Sequence, residues 1–208
     1  MSEGSPAFDY EILHFIQNDN LRLLAMTKTL TRLDRKFFAR PTVEVARELL
    51  AKNIHFRDKV ARVVETEAYL GPEDLASHAR FNSRKRNQIM FGSAGYVYVY
   101  FTYGMYHMLN IVAEEEGQAG AVLIRAVEPV SNVELATNGP GRLTRAMGIT
   151  MQENGVDLVG SEEFWVEDSG SVPEEIMETS RVGIGYAGEY RDKLWRFYVK
   201  GNPFVSRV

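Results

Sequence analysis

The sequence predicts an α+β fold: a single domain on a mixed, largely antiparallel sheet, with flanking helices and a protruding β-hairpin. Three observations carry this expectation. Apolar and polar residues alternate with period two over residues 60–69, 96–103 and 106–112, as strands require. Helix signals stand before these stretches, at Pro41-Thr42, and after them, at Asn138-Gly139-Pro140-Gly141. The chain has 208 residues, enough for a substantial core, and shows no internal repeat or clear linker. Helices on either side of a run of short strands argue for an α+β layering.

Residues 1–32 read as an N-terminal helical extension, with Tyr10, Leu13 and Ile16 at helical spacing and a second, weaker apolar pattern over residues 21–33. The main domain then spans residues 33–208. Pro41-Thr42 starts a helix whose apolar stripe is Val45, Ala46, Leu49 and Leu50, continuing through Asn53. In the first strand, Val63, Glu65, Glu67 and Tyr69 fall on one face and Arg62, Val64, Thr66 and Ala68 on the other. Gly71-Pro72 stops it, and residues 73–81 make a short helical turn carrying His78. In the second strand Tyr96, Tyr98, Tyr100 and Thr102 alternate with Val97, Val99, Phe101 and Tyr103. The third places Tyr106, Met108, Asn110 and Val112 on one face. A turn near Tyr103-Gly104 joins the two as a hairpin with a tyrosine at or near its tip. Residues 121–127 form a further strand with Leu123 and Arg125 on one face, and a short helix ends at Gly148. Residues 181–184 and 195–199 are the last strand candidates.

Composition narrows the class. The 45% hydrophobic and 25% charged content is that of a soluble globular protein. No cysteine occurs, which removes disulfides and thiolate metal sites. Apolar runs such as Ala121-Val122-Leu123-Ile124 are too short to span a bilayer, and the N-terminus lacks the order of a secretory signal. The expected location is therefore cytosolic, near the nucleoid, or nuclear in a eukaryote. The net charge of -4 is unevenly spread. Residues 151–180 carry acidic side chains with no Lys or Arg, whereas residues 80–86, 142–145 and 191–207 are basic. Counterion release depends on the contact face and not on the sum, so a nucleic-acid partner stays open.

The chemistry concentrates between Val63 and Asn110. Glu67, at the end of an apolar strand, is a candidate general base; taken alone, a water-exposed edge-strand glutamate explains it better. Arg125 shifts the balance slightly, because an arginine within Val122-Leu123-Ile124-Arg125-Ala126-Val127 needs a carboxylate, either Glu67 or Glu65. The tyrosines Tyr69, Tyr96, Tyr98, Tyr100, Tyr103 and Tyr106 exceed what strand preference asks for. They suggest a stacking box for a planar ligand such as a nucleobase. Arg84, Lys85 and Arg86 lie close in sequence to hold phosphates. His78 is a possible hydrogen-bond partner of a ligand. The four histidines show no metal-binding spacing, and no cofactor is expected. Gly92-x-x-Gly95 precedes a strand and not a helix, so it does not read as a phosphate-cradling loop.

At these residues the chain resembles the alkyladenine (3-methyladenine) DNA glycosylases of the methylpurine glycosylase type, over about residues 33–206. The marks run in order. They include Phe37-Phe38 and Val45-Ala46-Arg47-Glu48-Leu49-Leu50, then Val64-Glu65-Thr66-Glu67-Ala68-Tyr69, Ala76-Ser77-His78 and Tyr98-Val99-Tyr100. Tyr103-Gly104-Met105, Leu109-Asn110, Val122-Leu123-Ile124-Arg125-Ala126, Gly139-Pro140-Gly141-Arg142-Leu143 and Gly201-Asn202-Pro203 follow. The resemblance implies an enzyme that flips a damaged purine out of duplex DNA and hydrolyses its N-glycosidic bond. It implies that Glu67 deprotonates the attacking water and Arg125 holds that carboxylate and water. Tyr69, His78 and Tyr100 become the walls around the purine, Asn110 disfavours the exocyclic amine of guanine, and Leu123 tightens the slot. Tyr103 becomes the minor-groove wedge, with Met105 and Tyr106 on the same DNA-facing turn as it and Arg84, Lys85 and Arg86 nearby. No lysine adjoins the carboxylate motif, so no lyase step is expected, and the protein is expected to act as a monomer on double-stranded DNA away from membranes. Ala51 departs from the glycine common in the family, and residues 1–32 and 151–180 have no clear counterpart there. Two other readings are a nucleoside or glycoside hydrolase using Glu65 with Glu67, and a catalytically silent lesion- or RNA-binding module.

Overall fold

One strand, β3 (Lys59–Tyr69), has neighbours along its whole length and arranges everything else. The computed structural model describes residues 31–81 and 85–206, the side chains of residues 85 and 86 excepted. The expected extension therefore lies outside the described residues up to residue 30, as does Arg84. The other strands are β1 (Thr31–Arg32), β2 (Asn53–Phe56), β4 (Val97–Thr102), β5 (Tyr106–Val112), β6 (Ala121–Ser131), β7 (Phe164–Asp168), β8 (Ile176–Thr179) and β9 (Arg196–Val199). They form one sheet in the order β1-β7-β2-β3-β6-β5-β4, with β8 and β9 branching from β3. Every pairing among the described residues is antiparallel. One edge of β3 is shared: β2 takes residues 59–62 and β9 takes residues 65–67. The other edge belongs to β6.

Among the described residues three short α-helices, α1 (Arg35–Phe38), α2 (Thr42–Glu48) and α3 (Pro140–Met147), accompany the sheet. Val45 and Ala46 from α2, Leu49 just after it, and Leu143 and Met147 from α3 pack with Val97, Val99, Leu109, Ile111, Val122 and Ile124 as the main core. Burying such a side chain contributes about 1.5–3 kcal/mol, so this face fixes which way each strand is turned. No helix among the described residues is long and apolar enough to cross a membrane.

The sequence misplaces several details. Helix α2 stops at Glu48 and does not reach Asn53, because Ala51 adopts a left-handed backbone (φ 65) and Asn53 already pairs with Arg62 in the sheet. Residues 181–184 are a turn and not a strand. Strands β1, β2, β7 and β8 were not foreseen; Thr31–Arg32, assigned to the helical extension, instead pairs with β7. The acidic run conceals β7, whose Phe164 and Val166 are buried while Asp168 reaches Lys52 Nζ at 2.8 Å. The face assignment in β3 also changes. Val63 joins the main core with Ala68, whereas Glu65 and Glu67 point elsewhere. Between β3 and β6 the register passes from Val63 opposite Val127, to Glu65 opposite Ala126, to Thr66 opposite Ile124. Val64 is thus an extra residue on β3 and Arg125 an extra residue on β6. A bulge inserts one residue and re-aims its neighbours, so strict alternation cannot carry a face across it.

Candidate functional site

Strand register builds the floor of the site. Tyr98 stands opposite Asn110, Asn110 opposite Leu123, Leu123 opposite Glu67, and Glu67 opposite Arg196. Directly paired residues share a sheet face, so five strands contribute one transverse row on the side away from the main core. Tyr69 and Tyr100 flank it two positions along their strands. The row opens into a cavity of about 380 Å³ lined by Tyr69, His78, Tyr100, Asn110, Leu123 and Arg125, among others. That volume lies in the range of roughly 300–1,000 Å³ typical of small-ligand sites.

Glu67 has none of its surface exposed. Its Oε2 accepts from the Tyr69 hydroxyl at 2.8 Å and lies 3.3 Å from Arg125 Nη1, and its Oε1 accepts from the Val182 N–H at 2.6 Å. Burial pushes its carboxyl above the usual range by more than Arg125, the Val182 N–H and the Tyr69 hydroxyl pull it down, and Glu65 adds to the rise. Such a carboxylate retains acceptor capacity and is more basic than one in water. Arg125 bridges the two glutamates, its Nε donating to Glu65 at 2.8 Å. Burial pulls its own pKa down, and the charges of Glu67 and Glu65 more than reverse that, so it stays a cation. The bulge at Arg125 makes the double contact feasible, since the extra residue lies between the register positions of both carboxylates.

The walls are aromatic. Burial and the Glu67 charge drive the Tyr69 hydroxyl well above its ordinary pKa, and burial with the neighbouring Tyr98 drives Tyr100 up as well. Both stay neutral and present ring faces together with O–H groups. His78 packs edge-on to Tyr100 at 4.6 Å, and its Nδ1 shares a hydrogen bond with the Tyr98 hydroxyl at 2.9 Å. The Asn110 amide nitrogen donates to the carbonyls of Tyr98 and Met108 at 3.1 Å each, which aims the side chain along the floor.

At the mouth, β4 and β5 are joined through Tyr103, Gly104 and Met105. Tyr103 and Gly104 are both left-handed, with φ 52 and φ 68, and Met105 N–H donates to the Thr102 carbonyl at 3.2 Å. A bulky residue at positive φ is strained, and such strain gathers at functional sites. Tyr103 is 83% exposed and still borders the cavity. Met105 and Tyr106 are exposed beside it. Tyr106 is braced from below: a side chain at Gly141 would meet its ring at 2.5 Å, so only glycine lets α3 approach so closely. The basic run is not part of this picture, because Arg84 and the side chains of Lys85 and Arg86 fall outside the described residues.

Among the residues expected from sequence, Glu67, Arg125, Tyr69, His78, Tyr100, Asn110, Leu123 and Tyr103 meet in one place. The methylpurine-DNA glycosylase (MPG) family matches residues 36–203. The chain belongs to this family. A relative from Legionella pneumophila (strain Lens), described as "Putative 3-methyladenine DNA glycosylase", is 46% identical over 181 residues, covering 85% of this chain and 99% of the relative. Relatives of the same description from Alkaliphilus oremlandii and from Anaeromyxobacter sp. (strain Fw109-5) are 47% and 50% identical, over 85% of this chain and 99% and 93% of their own lengths.

Several residues that support this site are not legible in the sequence. Arg196 Nε donates to Glu65 Oε1 at 2.7 Å, and Ser206 donates to Glu65 through its N–H at 2.7 Å and its hydroxyl at 2.9 Å. Val182 brings its N–H to Glu67, and Arg181 and Asp74 form a buried pair behind Tyr69. The signal for Arg181 was the one used for Arg125, an arginine next to apolar residues. Ser206 gave no signal, for a lone serine near a chain end resembles any other. Glu65, with its donors in place and no exposed surface, has little left to offer as a second catalytic carboxylate across a bond.

Proposed function

We propose that the protein is a monofunctional DNA glycosylase that flips alkylated or deaminated purines, such as 3-methyladenine, 7-methylguanine and hypoxanthine, out of duplex DNA and hydrolyses the bond to the sugar. The observation that carries this reading is the buried Glu67–Arg125 pair directly behind an aromatic cavity whose rim ends in the strained, exposed Tyr103. The purine stacks against Tyr69 and Tyr100, and Tyr103 fills the space left in the duplex, offsetting the few kcal/mol of extrusion. Glu67 accepts a proton from a water while that water's oxygen forms the new bond to C1′. The C1′–N bond breaks and its electron pair leaves with the purine. Arg125 keeps the carboxylate ionised and oriented, and the negative charge at Glu67 stabilises the oxocarbenium-like sugar. Asn110 and Leu123 set the fit of the base edge.

Met105 and Tyr106 act with Tyr103 on the minor groove, and Arg84, Lys85 and Arg86 supply phosphate contacts. The protein works as a monomer. Release of free base from a panel of duplexes, each with one defined lesion, tests the reading, and at least one damaged purine should be released without strand cleavage. No release from any of them overturns it. Affinity should fall with salt at about −0.9 per phosphate contact, and a flat profile would point to a small-molecule substrate.

A further inference from the structure

Behind the aromatic wall lies a buried ion pair that the chemistry above does not use. The side chains of Arg181 and Asp74 are both fully buried. Nη1 and Nη2 of Arg181 donate to the two carboxylate oxygens of Asp74 at 2.6 and 2.9 Å, and Nη1 also donates to the Ala68 carbonyl at 2.9 Å. The guanidinium carbon stands 4.7 Å from the Tyr69 ring centre and 5.0 Å from that of Trp195. A planar cation between two aromatic faces with a bidentate carboxylate uses properties that belong to arginine and not to lysine.

Two loops meet on this pair, and both line the cavity. Asp74 accepts the Leu70 N–H at 3.1 Å and the Ala76 N–H at 3.0 Å, which folds residues 70–76 onto one carboxylate. Arg181 anchors residues 181–184, which belong to no strand or helix. The next residue along, Val182, donates its N–H to Glu67 Oε1 at 2.6 Å. A buried ion pair contributes little net stability compared with well-packed apolar residues, and its best-attested use is to specify a geometry.

We propose that Arg181, paired with Asp74, is a positioning residue that holds the Val182 N–H on Glu67 and the Tyr69 ring at the cavity wall, and so presents the base to the substrate. This rests on the reading of Glu67 as the general base. The Val182 N–H bonds the charged form of that carboxylate, so losing the bond favours the protonated, inactive form. The acid limb of kcat/KM reports this group in the free enzyme.

The test uses full-length Arg181→Lys on a duplex with a single hypoxanthine, with kcat/KM followed against pH. The limb should move to higher pH by about one unit, a tenfold loss on its acidic side, with a much smaller change above it. Asp74→Asn keeps one acceptor oxygen, should give the same displacement, and serves if the arginine variant does not fold. A limb left at the wild-type pH, whatever happens to the plateau, overturns the proposal, because a merely structural role lowers the rate at every pH alike. In the wild-type protein the Val182 amide should exchange slowly with deuterated solvent, and free exchange overturns the proposal without any variant. If Glu67→Gln stays active, the reading of the base fails. If it is inactive while the limb of Arg181→Lys has not moved, the clamp alone fails.

Discussion

Glu65 and Glu67 lie two positions apart on β3, are equally buried and share Arg125, yet their surroundings drive them in opposite directions. At both, burial raises the pKa. At Glu65 this is outweighed by Arg125, the Ser206 N–H and hydroxyl, and Arg196, and the carboxyl is held below its usual range. At Glu67 the donors fall short and the carboxyl stays above it. Glu65 accepts four hydrogen bonds, two of them from guanidinium groups, close to the full capacity of a carboxylate. Glu67 accepts two, both from neutral donors, with its cation further off at 3.3 Å. A saturated carboxylate is a structural anion, whereas a buried one left short of donors can take a proton. What a buried glutamate does depends on how many donors reach it.

The largest expected effect is on rate. Glu67→Gln should lower base release by about 10²–10⁴-fold, the contribution of a positioned base, while gel-shift binding of lesion duplex persists. Activity within a few-fold of wild type would remove Glu67 from its role. On stability the order reverses. Glu65→Gln removes the charge that compensates Arg125 and Arg196, and should cost about 3–5 kcal/mol in urea unfolding at pH 7. Because the folded pKa of Glu65 is depressed, its contribution is present above the unfolded value and disappears as pH falls through the folded one. Glu67 has the opposite sign. With its folded pKa raised, ionisation opposes folding, so Glu67→Gln should match or exceed wild-type stability at pH 7, and that margin should narrow as acid protonates the wild-type residue. A Glu67→Gln protein less stable than Glu65→Gln would break the contrast.

Smaller effects concern the rim. Tyr103→Ala should weaken capture of lesion duplex by about 1–3 kcal/mol, the scale of an aromatic–base stack, measured by fluorescence anisotropy against undamaged duplex. Equal losses on both would count against a wedge. Its melting temperature should not fall, since the side chain is 83% exposed and alanine leaves the left-handed backbone (φ 52) as it was. Gly104→Ala is the mildest. Its new methyl meets nothing within 4 Å, so only the left-handed backbone (φ 68) opposes it, at about 1 kcal/mol. A much larger cost would mean that the turn has a tighter conformational requirement than its φ alone imposes.

Much of the frame was legible because it depends on local pattern. Strand β3, the β4–β5 pair around Tyr103-Gly104, and α3 ending at Gly148 followed from alternation, glycine and proline. The need of Arg125 for a carboxylate followed from its apolar neighbours, although both candidates turned out to be its partners. Strand β7 was hidden by its acidic residues, of which Asp168 finds Lys52 just before β2, a compensation that hydropathy does not record. The faces of β3 were misread at Val63 because a bulge leaves no mark on composition. Residues 181–184 look like a strand and are held as a turn by one buried arginine.

The sequence by itself determined the set of chemical groups: two carboxylates and a tyrosine at alternate positions, an arginine on an apolar strand, and a crowd of aromatics with a tyrosine at a tight turn. Only the tertiary structure decided how the surroundings of the two carboxylates differ. Ser206, Arg196 and Val182 reach β3 from 141, 131 and 115 residues away. Their donors set the protonation of Glu65 and Glu67, and no local pattern can count donors that arrive through the fold.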